Sequence, residues 1–110
     1  MVYAKGDVVL VPFPFTDQSA AVTRPALVVS AASYNEASGD VIVAMITSRR
    51  HGLPTDVELH QWNEAGLLHP SWVRAKLATV SDSLVRYSPG QVARDDLAAV
   101  DSAMKLALGF

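Results

Sequence analysis

The residues of this 110-residue chain that could do chemistry form none of the common catalytic arrangements. The absence of cysteine excludes thiolate catalysis and zinc sites built on sulfur. The chain also lacks the Gly-x-Ser-x-Gly nucleophile elbow, the phosphate-binding P-loop and the glycine pattern of dinucleotide-binding folds. His51, His60 and His69 are spaced nine residues apart, which fits neither one helix face nor a metal-ligand motif. We interpret these histidines as surface or loop residues.

The remaining feature that could support a reaction is arginine next to an apolar run. Arg24-Pro25 begins one such run, and Thr47-Ser48-Arg49-Arg50 follows another. A guanidinium is a permanent cation whose planar donor fork suits phosphate oxygens, and a threonine hydroxyl can donate to the same group. Taken alone, Arg24 equally fits a solvated residue at a strand start, and Thr47 fits an ordinary strand end.

Short β-strands are the elements that would position these residues. Val8–Val11, the run beginning at Arg24, and Val41–Thr47 are nearly continuous in β-branched residues, which is typical of strands covered on both faces. Further strands are predicted at 57–59 and 72–80, whereas residues 16–23 are predicted to form a flexible loop. Leu97, Val100 and Met104 recur at helical spacing, with Gly109 after the last turn. The pattern favours a small, mostly β barrel with a C-terminal α-helix.

The composition indicates one domain spanning residues 1–110. Half of the residues are hydrophobic and 18% are charged, which excludes a mainly disordered chain. The longest apolar run, Val41–Ile46, is too short to cross a membrane, and the first residues do not resemble a signal peptide, so we expect a cytoplasmic protein without membrane association. The net charge of −2 argues against a general polyanion binder, but residues 71–94 contain four basic side chains and only one acidic residue, Asp82.

Three motifs occur in this order along the chain: the strand containing Gly6-Asp7-Val8, the Arg24-Pro25 pair and Ile46-Thr47-Ser48. In this combination they resemble the MazF/PemK family of toxin endoribonucleases. The resemblance continues through residues 69–74 and into the C-terminal helix. These segments span almost the whole chain, and their order and spacing together are more specific than any single segment.

The resemblance implies an SH3-like barrel with a C-terminal helix, a homodimer, and cleavage of single-stranded RNA without metal or other cofactor. It implies that Arg24 and Thr47 are catalytic. The partners that it implies are single-stranded messenger RNA and a cognate antitoxin, with DNA reached only through the antitoxin. We expect that antitoxin to cover the RNA groove with an acidic, partly disordered segment. The residues expected to bind RNA lie on loops and on the late strand: Thr16, Asp17, Gln18, Ser19, Ser48, Arg49, Arg50, Arg74 and Lys76.

The chemistry of RNA makes this activity reasonable for such a chain. The 2′-hydroxyl of RNA can attack the neighbouring phosphate, so the enzyme needs to stabilise negative charge and to manage two protons. Some family members carry Arg-x-Asp on the late strand, where the aspartate is a general base. This chain has Arg74-Ala75-Lys76 instead. The general base is therefore unassigned, and loop proximity alone suggests Asp17 or His51.

Two hypotheses follow. The first is a toxin that cleaves single-stranded RNA by attack of the 2′-hydroxyl. The second is an inactive dimeric module of the same fold that binds an antitoxin or nucleic acid. Arg24 with Thr47 favours the first hypothesis, and the missing late-strand aspartate and acidic composition favour the second.

Overall fold

A computed structural model describes residues 2–12 and 23–110 of the chain. The predicted loop residues 16–22 thus fall outside the described residues. The described elements follow one another as β1 (Asp7–Pro12), β2 (Thr23–Val28), α1 (Ala32–Ser38), β3 (Asp40–Thr47), β4 (Val57–Glu58), β5 (Trp72–Ser81), a 3₁₀ turn (Asp82–Leu84), β6 (Tyr87–Gln91) and α2 (Arg94–Leu108).

The six described strands form one antiparallel sheet in the order β4-β5-β3-β2-β1-β6. Strands β2, β3 and β5 are neighbours at its centre, so the start of β2, the end of β3 and the start of β5 lie at the same end of the sheet. There, Thr47 pairs with Trp72. The prediction of a mostly β fold with a C-terminal helix is confirmed.

Apolar side chains cover both faces of the central strands. Val8, Leu27 and Ala44 belong to one buried cluster, while their neighbours in sequence, including Val9 and Val43, belong to a second. This division follows from the alternation of side chains along a strand. It explains why these strands have uninterrupted apolar runs in the sequence.

Helix α2 packs on one face of the sheet through Val100, Ala103 and Met104. It ends as predicted, because Gly109 takes the left-handed conformation (φ 82°) and its N–H donates to the Lys105 carbonyl at 2.9 Å. In its first turn, the buried Asp96 accepts hydrogen bonds from the backbone N–H groups of His60 (3.1 Å) and Gln61 (3.0 Å). Asp96 thereby anchors the segment between β4 and β5.

The same segment also reaches the opposite edge of the sheet through two close backbone approaches. A Cβ on Gly66, whose φ is +83°, would lie 2.7 Å from the Cβ of Pro89, and one on Gly90 would lie 2.8 Å from the Ala65 carbonyl oxygen. Only glycine permits these contacts. They dock residues 65–66 against β6 and curl the sheet into a half-barrel.

Three described elements, α1, the 3₁₀ turn and β6, were not predicted from the sequence. In addition, the pairing of β5 with β3 shifts in register, because Ala44 lies opposite Leu77 whereas Met45 lies opposite Arg74.

No helix in the described part of the chain is long and apolar enough to span a membrane.

Candidate active site

The candidate site is an open cavity of about 430 Å³ at the end of the sheet where β2 begins and β3 ends. Three of the residues predicted from the sequence line it, namely Arg24 on β2, and Thr47 and Ser48 at the end of β3. Strands β2 and β3 are antiparallel neighbours, with Ala26 opposite Met45. This pairing brings the N-terminal end of β2 alongside the C-terminal end of β3.

Arg24 is exposed beside this cavity, and its strand position is set by pairing with Val11 on β1. Pro25 follows it and also lines the cavity. Because the proline ring fixes φ near −65° and disfavours the helical conformation for the residue before it, the backbone of Arg24 is restricted to an extended form. The sequence Arg-Pro therefore presents a cation from a stiff strand start.

Thr47 is half-buried and orients the turn that follows it. Its Oγ1 accepts a hydrogen bond from the backbone N–H of Arg49 at 3.1 Å. A hydroxyl can accept and donate at the same time, so the Thr47 proton can still be donated to an oxygen atom in the cavity. Arg24 and Thr47 together supply a cation and a hydroxyl donor to one space, which suits a phosphate group.

The other predicted RNA-binding residues lie elsewhere or outside the described residues. Arg49 and Arg50 are exposed on the segment between β3 and β4, and Lys76 is exposed on β5; the described lining of the cavity contains none of them. Thr16, Asp17, Gln18 and Ser19 lie outside the described residues.

Arg74 is in a different environment from the exposed cations. Its side chain is only 11% exposed, and its Nε donates to Oδ1 of Asp56, which is 5% exposed, at 3.1 Å. The second oxygen of Asp56 accepts from the Leu53 N–H at 3.0 Å. Arg74 is thus part of an ion pair that ties the segment after β3 to β5. The described lining of the cavity does not include it.

Sequence reasoning did not assign a site role to three polar residues that line the cavity, His69, Ser71 and Tyr87. His69 precedes β5, and Tyr87 begins β6 and is 62% exposed. Their proximity to Arg24 depends on the pairing of β3 with β5 and of β1 with β6. A prediction of strand order, rather than any local motif, could have located them.

Comparison with known proteins identifies the family of this chain. The family described as PemK-like, MazF-like toxins of type II toxin–antitoxin systems matches residues 4–108. The MazF structure from Deinococcus radiodurans is 28% identical, with a TM-score of 0.81 over 100% of this chain and 99% of that one. MazF in a MazE–MazF structure from the same organism is also 28% identical, with a TM-score of 0.79 over 100% and 98%.

A structure titled as an endoribonuclease from a mycobacterial species shares the fold at 22% identity, with a TM-score of 0.81 over 100% of this chain and 94% of that one. No match was found among the curated proteins. The family match spans nearly the whole chain and includes both Arg24 and Thr47. The chain belongs to the PemK-like, MazF-like family of toxins of type II toxin–antitoxin systems.

Proposed function

We propose that this protein is a cytoplasmic toxin that cleaves single-stranded RNA at a phosphodiester bond, using the RNA's own 2′-hydroxyl as the nucleophile. The observation that carries the proposal is the convergence of Arg24 and Thr47 on one open cavity. The names of similar structures support it, since one is titled an endoribonuclease and others are titled MazF.

In this reaction the 2′-oxygen bonds to phosphorus and the bond from phosphorus to the 5′-oxygen breaks. The products are a 2′,3′-cyclic phosphate and a free 5′-hydroxyl. Negative charge grows on the non-bridging phosphate oxygens in the transition state. Arg24 stabilises that charge through its guanidinium N–H groups, and Thr47 adds a hydroxyl donor. The reaction needs neither an enzyme nucleophile nor a bound metal.

The residues around the cavity extend the contact to neighbouring nucleotides. Ser48, Arg49 and Arg50 follow Thr47 directly, so RNA bound at Thr47 runs past two exposed cations that attract its phosphates. Thr16, Asp17, Gln18 and Ser19 remain predicted RNA contacts. Lys76 remains a predicted phosphate contact, and Arg74 could contact RNA only with the guanidinium nitrogens that are not bonded to Asp56.

Two partners complete the proposal. The first is a second copy of the chain, and the support is the apolar C-terminal end of α2, where Leu106 and Phe110 are exposed. The second is a cognate antitoxin, supported by the MazE–MazF structure of the Deinococcus relative. An acidic antitoxin segment laid over Arg24, Arg49 and Arg50 would exclude RNA.

The decisive experiment is incubation of purified protein with a long single-stranded RNA in EDTA, followed by mapping of the fragment ends. We expect fragments that end in a 2′,3′-cyclic phosphate and begin with a 5′-hydroxyl. DNA of the same sequence is the matched control and should stay intact, because it lacks the 2′-hydroxyl. Tight RNA binding without cleavage would favour the inactive binding module, and cleavage only after addition of Mg²⁺ would contradict the metal-independent mechanism.

A further inference from the structure

The proposed reaction requires a group that removes the proton from the attacking 2′-hydroxyl. Lys76 on the late strand is exposed and is not part of the described cavity lining, so that base must come from elsewhere. Of the two alternatives drawn from the sequence, Asp17 lies outside the described residues, and His51 is not part of the described cavity lining.

We propose that His69 is the general base of the cleavage reaction, an inference that rests on the proposed function. His69 lines the same cavity as Arg24 and Thr47, and it is exposed to solvent there. It reaches that position from the segment before β5, on a different element from either of the other two residues. A substrate phosphate held by Arg24 and Thr47 would therefore lie in a cavity that His69 also lines.

The chemistry of the lining residues singles out His69. Among the described residues of the cavity, the titratable or charged groups are Arg24 on β2, Tyr87 on β6 and His69 itself. A guanidinium keeps its proton and cannot accept another, and a phenol is protonated at neutral pH. Imidazole exchanges a proton near neutral pH and, when neutral, has one nitrogen available as an acceptor.

The backbone around His69 is held in place, as a catalytic group requires. Pro70 restricts His69 to an extended conformation. The hydroxyl of Ser71 donates to the His69 carbonyl oxygen at 2.8 Å, and the Ser71 carbonyl accepts from the Leu59 N–H at 2.9 Å. Ser71 is buried, so these bonds are shielded from water.

The other end of the segment is held equally firmly. The contact of Gly66 with Pro89 fixes the chain three residues before His69 against β6. This close packing of two backbones allows little adjustment. His69 is thus presented from a segment fixed on both sides, at a cavity that Arg24 and Tyr87 also line.

The proton balance of the step is simple. Neutral His69 takes the 2′-hydroxyl proton as the 2′-oxygen bonds to phosphorus, and water supplies the proton that the departing 5′-oxygen needs. The resulting imidazolium returns its proton to solvent before the next cycle. Arg24 stabilises charge throughout and transfers no proton.

The test compares single-turnover cleavage by wild type, His69→Gln and the matched control His60→Gln from about pH 5 to about pH 8, the range in which imidazole titrates. His60 is also an exposed histidine, but it lies near α2, where its backbone bonds to Asp96. We expect the wild-type rate to rise with pH and then level off. His69→Gln should lower the rate about 100- to 10,000-fold and remove this rise. His60→Gln should follow the wild-type curve.

Two further measurements separate catalysis from structure and from binding. Thermal melting should be unchanged in His69→Gln, and the Kd for an RNA analogue with a 2′-deoxy nucleotide at the cleavage site should stay within a few-fold of wild type. Wild-type cleavage together with an unchanged rate and pH profile in His69→Gln would overturn the role of His69 alone. Loss of the pH dependence in Asp17→Asn instead would also overturn it. A wild-type protein that leaves RNA intact would overturn both this role and the proposed function.

Discussion

Arg24 and Arg74 carry the same guanidinium on the same sheet, separated by strand β3, yet their surroundings differ completely. Arg24 is exposed at a cavity that also holds Thr47 and His69. Arg74 is mostly buried and bonded to Asp56. A cation exposed at an open cavity is available to a ligand, whereas one paired with a buried carboxylate belongs to the framework. Residue type and strand position alone therefore do not separate a binding cation from a supporting one.

The pair formed by Arg74 and Asp56 has a function in the framework that Arg24 does not share. Asp56 bonds both to Arg74 and to the Leu53 N–H, and the Asp56 N–H donates to the Leu53 carbonyl at 3.0 Å. These bonds close a tight turn and attach it to β5. The turn ends the segment that bears Arg49 and Arg50. Arg74 therefore helps to hold the segment on which the predicted RNA contacts Arg49 and Arg50 lie.

The largest expected effect is on stability, at Arg74. Arg74→Ala would leave the buried Asp56 carboxylate without its cation, and loss of one partner from a buried pair typically costs about 3–5 kcal/mol of unfolding free energy. Denaturant unfolding measures this cost. The matched control is Lys5→Ala, because Lys5 pairs with Asp101 at 2.7 Å on the exposed surface, where such pairs contribute at most about 1 kcal/mol.

The double variant Arg74→Met with Asp56→Leu sharpens this prediction. It removes both charges together, so it should recover much of the stability that Arg74→Ala loses. If Arg74→Ala unfolded at the wild-type denaturant concentration, the framework role of this arginine would be wrong.

The next effect is on catalysis, at Arg24. Arg24→Ala should lower the cleavage rate about 100- to 1,000-fold, because the phosphate would lose a donor that acts in the transition state. Its unfolding free energy should change by no more than about 0.5 kcal/mol, as is usual for exposed positions. Arg24→Lys should recover part of the rate, since an ammonium lacks the planar fork. Thr47→Ala should be milder or comparable, also without unfolding. Cleavage rates and melting curves measured side by side test the contrast with Arg74.

A variant Arg24→Ala that melts normally and still cuts RNA within a few-fold of wild type would remove Arg24 from the catalytic site. The binding-module hypothesis would then take the place of the endoribonuclease. If Arg24→Ala instead unfolded as readily as Arg74→Ala, the distinction between the two arginines would disappear.

The smallest effect is expected at the exposed cations after β3. Arg49→Ala and Arg50→Ala should each weaken RNA binding and reduce the slope of log K against log salt by about 0.7, as for one lost phosphate contact on a single strand. Binding of a 2′-deoxy analogue at several salt concentrations measures the slope. Lys105→Ala is the matched control, because Lys105 lines a separate cavity at the end of α2. Equal slopes in all variants would mean that Arg49 and Arg50 do not contact RNA phosphates.

The sequence predicted the elements whose signals are local. The apolar runs of β1, β2 and β3 and the spacing of Leu97, Val100 and Met104 in α2 were sufficient, because burial on a strand or a helix face imposes its own period. Helix α1 has no such stripe. It is held by Asn35, whose side-chain amide donates to the Tyr3 carbonyl at 2.7 Å and to the Ser30 carbonyl at 3.3 Å. The bond to Tyr3 joins residues 32 positions apart, so a local sequence pattern does not predict this helix.

Strand β6 was missed for a related reason. It contains Pro89 and Gly90, which are unfavourable in strands. Pairing with β1 makes it a strand, as Val8 lies opposite Gly90 and the Ser88 hydroxyl donates to the Val8 carbonyl at 2.8 Å. The glycine is required there because the Ala65 backbone packs against it. Tertiary contact outweighed intrinsic propensity at this edge.

In the candidate site, too, some residues could be predicted from local sequence and others could not. Arg24 and Thr47 could be named from the sequence, because Arg24 precedes one apolar run and Thr47 follows another. Both also belong to the motifs that resemble the family. The place of His69 and the burial of Arg74 were decided only by tertiary structure. The first depends on the pairing of β3 with β5 and on the docking of Gly66 against Pro89, and the second depends on Asp56, which is eighteen residues away from Arg74 in sequence. Local sequence determines which groups a strand carries, but the environment of each group, and so its chemistry, is determined by which other segments pack beside it.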